Sequence, residues 1–231
     1  TGSDFINEMR KAVTNRDGNK IITIVGMPGS GKSWACLRLA EVLAPDGYFD
    51  PKFIAYNKKD FYDIVNSDFP RGQPIVYEEV GVNEGNRSWA QNMDTNKILQ
   101  TFRHKNAILL MNTPVKTFVD KQARDLNHAI FWMRKILHNK KQSVMSPFFT
   151  EINPVSGETR TGWCVLKGDM ISEIVLNIPS LELRKAYKKG KLKFTKKLNA
   201  KSLTSYAKKE KELMIEHRKK LDQAKQLGIE V

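Results

Sequence analysis

The chain reads as an α/β domain: a mostly parallel sheet with helices on both faces, extended by a β-hairpin and followed by a basic helical tail. Three observations predict it. A β-branched apolar run, Ile21 to Val25, leads into the Gly-rich octapeptide GMPGSGKS (Gly26 to Ser33), and a helical stretch, Trp34 to Ala44, follows at once. Apolar runs of strand length then alternate with segments of helical spacing to about residue 135, the pattern of strands buried on both faces and joined by crossovers. Beyond residue 140 the alternation stops, giving way to turn-rich strands and then to lysine.

Taken in order, Asp4 to Val13 has the spacing of a short amphipathic helix, and Asp17-Gly18 is a turn before the first strand. Phe53 to Tyr56, set off by Pro51, reads as a second strand, and Asp60 to Val65 as a helix. Pro70, Gly72 and Pro74 mark a loop. PIVYEEVG then supplies a buried strand, Ile75 to Tyr77, ending in Glu78 and Glu79. Asn83 to Asn92 is polar and reads as a loop, whereas Ile98, Leu99 and Phe102 lend Thr95 to His104 helical spacing. Ala107 to Met111 is the most apolar strand of the chain; Val119 to Leu126 reads as a helix and Ile130 to Met133 as a further strand.

Phe148 to Ile152 and Gly162 to Leu166 flank the turn-rich NPVSGETRT, a hairpin pattern, and Ile171 to Ile178 adds a strand. Arg184 to Lys201 holds nine basic and no acidic residues. Ser202 to Leu227 places Leu203, Tyr206, Leu213, Met214 and Leu221 near helical spacing, with Glu216 and Lys220 four apart and Gly228 as C-cap. The expected parts are an N-terminal helix and lead-in over residues 1–19, a core over 20–140, a hairpin and strand addition completing the domain over 141–183, and the tail over 184–231.

Composition narrows the partners. A chain of 231 residues at 40% apolar content buries one sizeable core with extra elements around it. Its 39 basic and 25 acidic residues leave +14, which favours polyanionic partners such as nucleic acid or an acidic membrane surface. No apolar run approaches the roughly 18 to 20 residues of a membrane helix, and TGSDFINEMRK has no signal-peptide core. The expectation is a soluble protein of the cytoplasm, the host's if a virus encodes it. Cys36 and Cys164 read as reduced, partly buried thiols rather than a disulfide or zinc site. His104 and His128 lack ligand-like companions and read as structural.

GMPGSGKS fits GxxxxGKS, the loop that binds phosphates, and stands between a strand and a helix as that chemistry requires. The loop from Gly26 through Met27, Pro28, Gly29, Ser30 and Gly31 turns backbone N–H groups inward around a triphosphate. Lys32 reaches the β and γ phosphates, Ser33 ligates Mg²⁺, and the helix N-terminus adds a positive dipole end. Trp34 stands either near the nucleotide or in the core. Hydrolysis further needs an acid for the magnesium shell and a base for water, both at the end of a neighbouring parallel strand. Glu78 is assigned to magnesium and Glu79 to water, and the two roles can be exchanged. Asn112, at the end of the Ala107 strand, either hydrogen-bonds the attacking water or makes an Asx turn before Pro114. Arg103, Arg87 and Arg124 are candidates for an arginine that neutralises transition-state charge across a subunit boundary, against the plainer reading of solvated surface charge.

Together GMPGSGKS, the strand PIVYEE, the stretch ILQTFRHKNAILLMNTP and VDKQARDL resemble the HerA/FtsK-like branch of ASCE-type P-loop ATPases, in particular the small genome-packaging ATPases of archaeal viruses and related plasmid proteins. The similarity spans about residues 20 to 135. It implies ATP and Mg²⁺ as cofactors, a homo-oligomeric ring that is often a hexamer, and hydrolysis that moves double-stranded DNA, with a viral portal or capsid protein as a further partner. It also implies that Ala107 to Met111 lies between the phosphate-loop strand and the acidic strand. Two positions depart from that branch: Glu78 replaces the usual aspartate, and Asn112 the common glutamine. Zonula-occludens-toxin-like assembly ATPases of filamentous phages share the core, so nucleotide-switched assembly or export is a second expectation. A small-molecule P-loop kinase is a third, in which the lysine tail has no job.

From residue 184 onward sixteen basic residues face five acidic ones, eleven of the fourteen net charges. Lysine rather than arginine suits diffuse phosphate contact without sequence readout. The plainer reading is a solvated helix or a subunit-packing arm.

Overall fold

The apolar run before the octapeptide is a strand with Ile21, Ile22, Thr23 and Ile24 all buried, as a strand covered on both faces must be. The computed structural model describes residues 2–15, 18–78, 102–115, 125–153 and 155–226. In order these form α1 (Gly2–Thr14), β1 (Lys20–Val25), α2 (Lys32–Leu43), β2 (Ile54–Ala55), α3 (Lys58–Asn66), β3 (Pro74–Tyr77), β4 (Ile108–Thr113), β5 (Ala129–Leu137), β6 (Gln142–Ile152), β7 (Thr159–Leu166), β8 (Asp169–Ile171), β9 (Ile174–Asn177) and α4 (Leu181–Gln226). The chain divides into two compact units, Thr1–Tyr187 and Lys188–Val231.

One sheet runs in the order β2-β3-β4-β1-β5-β6-β7-β8, with β9 also on β6. The first five are parallel: β4 pairs with β1 from Lys20↔Ile108 to Val25↔Thr113, and with β3 from Pro74↔Ile108 to Tyr77↔Met111. The strand Ala107 to Met111 therefore stands where the sequence resemblance puts it, between the loop strand and the acidic strand. On the far side β1 pairs parallel with β5. From there the sheet is antiparallel, β5 on β6, β6 on β7 and on β9, β7 on β8. The α/β class is as expected, with parallel pairing confined to the core and antiparallel pairing in the extension.

Several boundaries differ from the sequence reading, each for a local reason. The strand expected over Phe53 to Tyr56 shrinks to Ile54–Ala55, because Asp50 caps a 3-10 turn at Pro51–Phe53 by accepting from Lys52 N. β5 runs on to Leu137 past Met133 because it keeps pairing with β6 through a bulge between Met133 and Lys135. Exposed Arg134 and Lys135 open its outer half and interrupt the apolar pattern before Ile136 and Leu137. The expected hairpin forms, from Phe148↔Trp163 to Ile152↔Thr159, and Asn153 Oδ1 closes its turn by accepting from the amides of Val155 and Ser156 at 2.9 and 3.2 Å. The helices expected over Thr95 to His104 and Val119 to Leu126 lie almost wholly outside the described residues, as does Gly228; of the first, Phe102–Lys105 forms a 3-10 turn.

The tail is helical, as the fold class expects, but its helix begins earlier than the 184 boundary and runs unbroken from Leu181 to Gln226. Ser180 opens it, its hydroxyl accepting from Leu183 N, and Lys, Leu and Ala are strong helix formers that outweigh the roughly 1 kcal/mol cost of Gly190. Its first turns belong to the core: Leu183 and Tyr187, four residues apart, are buried. No described helix is long and apolar enough to cross a membrane.

Candidate functional site

The octapeptide is the tight connection between β1 and α2. Gly31 sits at φ 86°, and a Cβ there would lie 3.2 Å from the Ile136 side chain. At Gly26 a Cβ would meet Met133 Cβ and Ser30 Oγ, each at 2.8 Å. Only glycine at these two positions allows the loop to lie this close to β5. Lys32 Nζ donates to the carbonyl oxygens of Gly26 and Met27 at 2.6 and 2.9 Å, so its ammonium stands over the loop. A cleft of about 450 Å³ opens here, lined by Pro28, Gly29, Gly31, Lys32, Ser33, Trp34, Asn112, Pro114 and Ile136.

Three hydrogen-bond donors from three elements converge on the Glu78 carboxylate, which is 1% exposed. Ser33 Oγ, on the first turn of α2, donates to Oε2 at 3.2 Å. Asn112 Nδ2, near the end of β4, donates to Oε1 at 2.5 Å and lies 3.5 Å from Ser33 Oγ. Tyr187, on α4, donates its hydroxyl to Oε2 at 2.7 Å. The parallel register explains the first meeting: Tyr77 pairs with Met111, so the next residue of each strand, Glu78 and Asn112, emerges together at the C-terminal sheet edge, where such folds bind ligands.

Tyr187 is the residue that sequence reasoning missed. Leu183 and Tyr187 form an apolar pair at helical spacing, the signal that α4 begins inside the core, but no local pattern says which carboxylate the phenol meets. Its ring stands edge-on to Trp34 at 5.5 Å and tilted against Tyr56 at 6.1 Å. The Tyr56 hydroxyl donates to the Tyr187 carbonyl oxygen at 3.3 Å. Burial first, and the Glu78 carboxylate second, push both phenols above their ordinary range, so each stays protonated and able to donate. The same two causes raise the Cys36 thiol well above its usual value. Both cysteines are free and fully buried, deeper than the partial burial the sequence reading expects.

The structure thus brings together Gly26 to Trp34, Glu78 and Asn112. Trp34 both lines the cleft and packs against Tyr187. Glu79, Arg87 and Arg124 lie outside the described residues, and of Arg103 only the backbone is described, within the turn Phe102–Lys105. His128 is held structurally, its Nδ1 accepting from Ile21 N at 3.1 Å.

The donor set fits magnesium and a polyphosphate. Ser33 Oγ and the Glu78 carboxylate are hard oxygen ligands set side by side, and Ser30 Oγ within the loop is buried with no hydrogen-bond partner among the described residues. No cluster of three or more His, Cys, Asp or Glu occurs among the described residues. A cation held by Ser33 and Glu78 would leave positions in its shell for phosphate oxygens and water, as Mg²⁺ commonly does.

A strand, a Gly-rich loop and a helix in direct succession, the parallel order β2-β3-β4-β1-β5, and an acidic strand end facing the loop serine together define a P-loop NTPase fold. No protein-family model and no curated protein matches the chain. Among solved structures, it is similar to the N-terminal domain of zonular occludens toxin from Neisseria meningitidis, at 16% identity and TM-score 0.39, over 65% of this chain and 96% of that one. It is also similar to the genome packaging NTPase B204 of Sulfolobus turreted icosahedral virus 2 in complex with ATP-gammaS, at 12% and 0.37, over 66% and 100%. A third is the flagellar accessory protein FlaH of Methanocaldococcus jannaschii, at 12% and 0.34, over 68% and 84%.

Proposed function

We propose that the protein hydrolyses ATP with Mg²⁺ and uses the energy to move or package double-stranded DNA, assembled as a ring of identical subunits. The observation that carries the hydrolytic part is that Ser33 and Asn112, which line one cleft with Lys32, both donate to the buried Glu78 carboxylate. Lys32 draws the β and γ phosphates into the loop, and backbone N–H groups with the N-terminus of α2 hold their charge. Magnesium, when bound, neutralises phosphate charge in the transition state. Ser33 and Glu78 hold the ion's place, Asn112 keeps the carboxylate turned toward the loop, and Glu79 polarises the attacking water. Arg103 or Arg87 supplies positive charge to a neighbouring subunit's site.

The DNA part is supported by α4. Lys188, Lys189, Lys193, Lys196 and Lys197 are all exposed on it, within a segment lacking any acidic residue between Arg184 and Lys201. Such a surface neutralises phosphates without reading bases.

The test is ATPase rate with and without duplex DNA, across protein concentration and salt. Turnover should rise with DNA and with protein concentration, and DNA affinity should fall steeply with salt. Glu79→Gln should keep ATP binding and lower turnover roughly 100-fold or more. Turnover that ignores DNA at every salt concentration would exclude the motor. A Glu79→Gln protein that still supports assembly would favour the nucleotide-switched alternative, and phosphorylation of a nucleoside panel the kinase.

A further inference from the structure

We propose that Tyr187 is a positioning residue of the hydrolytic site, orienting the Glu78 carboxylate and making that carboxylate responsive to polyanion binding on the lysines that follow it along α4. The inference rests on the reading of this cleft as a magnesium–ATP site. Glu78 Oε1 accepts from Asn112, whereas Oε2 accepts from both Ser33 and Tyr187. Asn112 and Ser33 come from elements directly bound to the central strands. Tyr187 arrives from 109 residues away in sequence, on a helix that continues as the most basic segment of the chain.

Packing alone does not account for a tyrosine here. A phenylalanine ring would fill the same contacts with Trp34 and Tyr56, and a buried hydroxyl is costly unless it finds a strong acceptor. The hydroxyl finds one at 2.7 Å in the carboxylate of Glu78. The ring's freedom is small, because Trp34 meets it edge-on and Tyr56 bonds its carbonyl. The start of the helix is fixed as well: Ser180 N donates to Glu41 Oε1 and Oε2 at 3.0 and 3.2 Å. Glu41 lies on α2, the helix that carries Ser33 and Trp34. One helix thus anchors both ends of the connection, the loop serine and the turn that delivers Tyr187. The lysines that follow Tyr187 belong to the same unbroken helix, and that continuity is the route by which DNA held at Lys188 and beyond would act on the phenol and its bond to Glu78.

The experiment compares full-length wild type with Tyr187→Phe, which keeps the ring and removes only the hydroxyl. Two quantities are measured: the Mg²⁺ dependence of binding of a non-hydrolysable ATP analogue by calorimetry, and kcat and KM for ATP with and without duplex DNA. Losing a hydrogen bond to a charged group should raise the Mg²⁺ concentration for half-maximal analogue binding about tenfold, with metal-free analogue affinity unchanged. Turnover should fall about tenfold with KM within about twofold. DNA stimulation should disappear although duplex affinity is unchanged, since every lysine remains.

A variant matching wild type in Mg²⁺ dependence and in DNA stimulation would overturn the proposal while leaving the ATPase reading intact. Altered Mg²⁺ dependence with DNA stimulation retained would overturn the coupling to α4. If wild type binds Mg²⁺ and the analogue but does not turn over ATP, the hydrolytic reading fails and the Mg²⁺ titration alone decides the role of Tyr187. If wild type binds no nucleotide, both fall.

Discussion

Asn112 donates its side-chain amide to Glu78 Oε1 at 2.5 Å, one register step beyond the Tyr77↔Met111 pair of β3 and β4. Both residues are buried, so the bond joins an uncharged donor to a carboxylate away from water, where charge-assisted bonds are strongest. Asn112→Ala should cost about 1.5–3 kcal/mol of stability by urea unfolding. Asn112→Asp should cost more, because a second carboxylate then faces the first and the two must share a proton. Unfolding midpoints at neutral pH, with the slope unchanged, check both; a silent Asn112→Asp would contradict the geometry.

Gly31→Ala tests the loop. At φ 86° an L side chain is strained, and its Cβ would press on Ile136 at 3.2 Å. The expected loss is about 1–2 kcal/mol from the backbone alone, a drop of several degrees in Tm for a chain of this size. Nucleotide affinity should fall too, since the loop must shift away from β5 to accommodate the methyl group. Calorimetric scanning with and without Mg·ATP separates the two effects.

Ser180→Ala tests the anchoring of α4. Removing the hydroxyl that accepts from Leu183 N should cost about 1 kcal/mol. Glu41→Ala should cost more, because it removes both acceptors of the bifurcated hydrogen bond from Ser180 N and the ion pair to Arg38 at 3.0 Å from a buried position. Urea unfolding of each variant, with Mg²⁺-dependent nucleotide binding as a second readout, gives the ranking.

His128 should impose a pH dependence on stability. Its Nδ1 accepts from Ile21 N, which requires a neutral ring. Burial, then the charge of Lys20, lowers its pKa from 6.5 to about 4. Glu8 and Glu151 line the same cavity of about 320 Å³ with Lys20 and His128, and do not reverse the direction. Below pH 6.5 the unfolded chain binds the proton and the folded one does not. The stabilisation is therefore complete above pH 6.5 and is lost as pH falls toward 4, by up to about 3 kcal/mol. His128→Asn, which keeps an acceptor for Ile21 N, should flatten the curve in that window while acid unfolding of the carboxylates persists.

The legible parts of this protein are those whose physics is local. GMPGSGKS announces its loop because glycine spacing, a preceding β-branched run and a following helix are all neighbours in sequence. The strand bearing Glu78 and the Asn153 turn of the hairpin were readable on the same grounds. The outer half of β5 was not, because exposed Arg134 and Lys135 interrupt its apolar pattern while pairing with β6 maintains the strand. Nor was the true start of the tail helix, since a run of lysines hides the Leu183–Tyr187 pair that belongs to the core.

The order of residues along the chain was enough to specify a phosphate loop, an acidic strand end, the α/β class and a strongly basic C-terminal segment, since each depends on residues within a few turns or strands of one another. Which donors surround Glu78 was a tertiary decision. Ser33, Asn112 and Tyr187 lie 45, 34 and 109 residues from it, and only the parallel register of β3 with β4 and the docking of α4 against Trp34 set their distances. Hydrogen bonds act over about 3 Å, so chemistry that depends on them appears only once the sheet has closed the gaps in sequence.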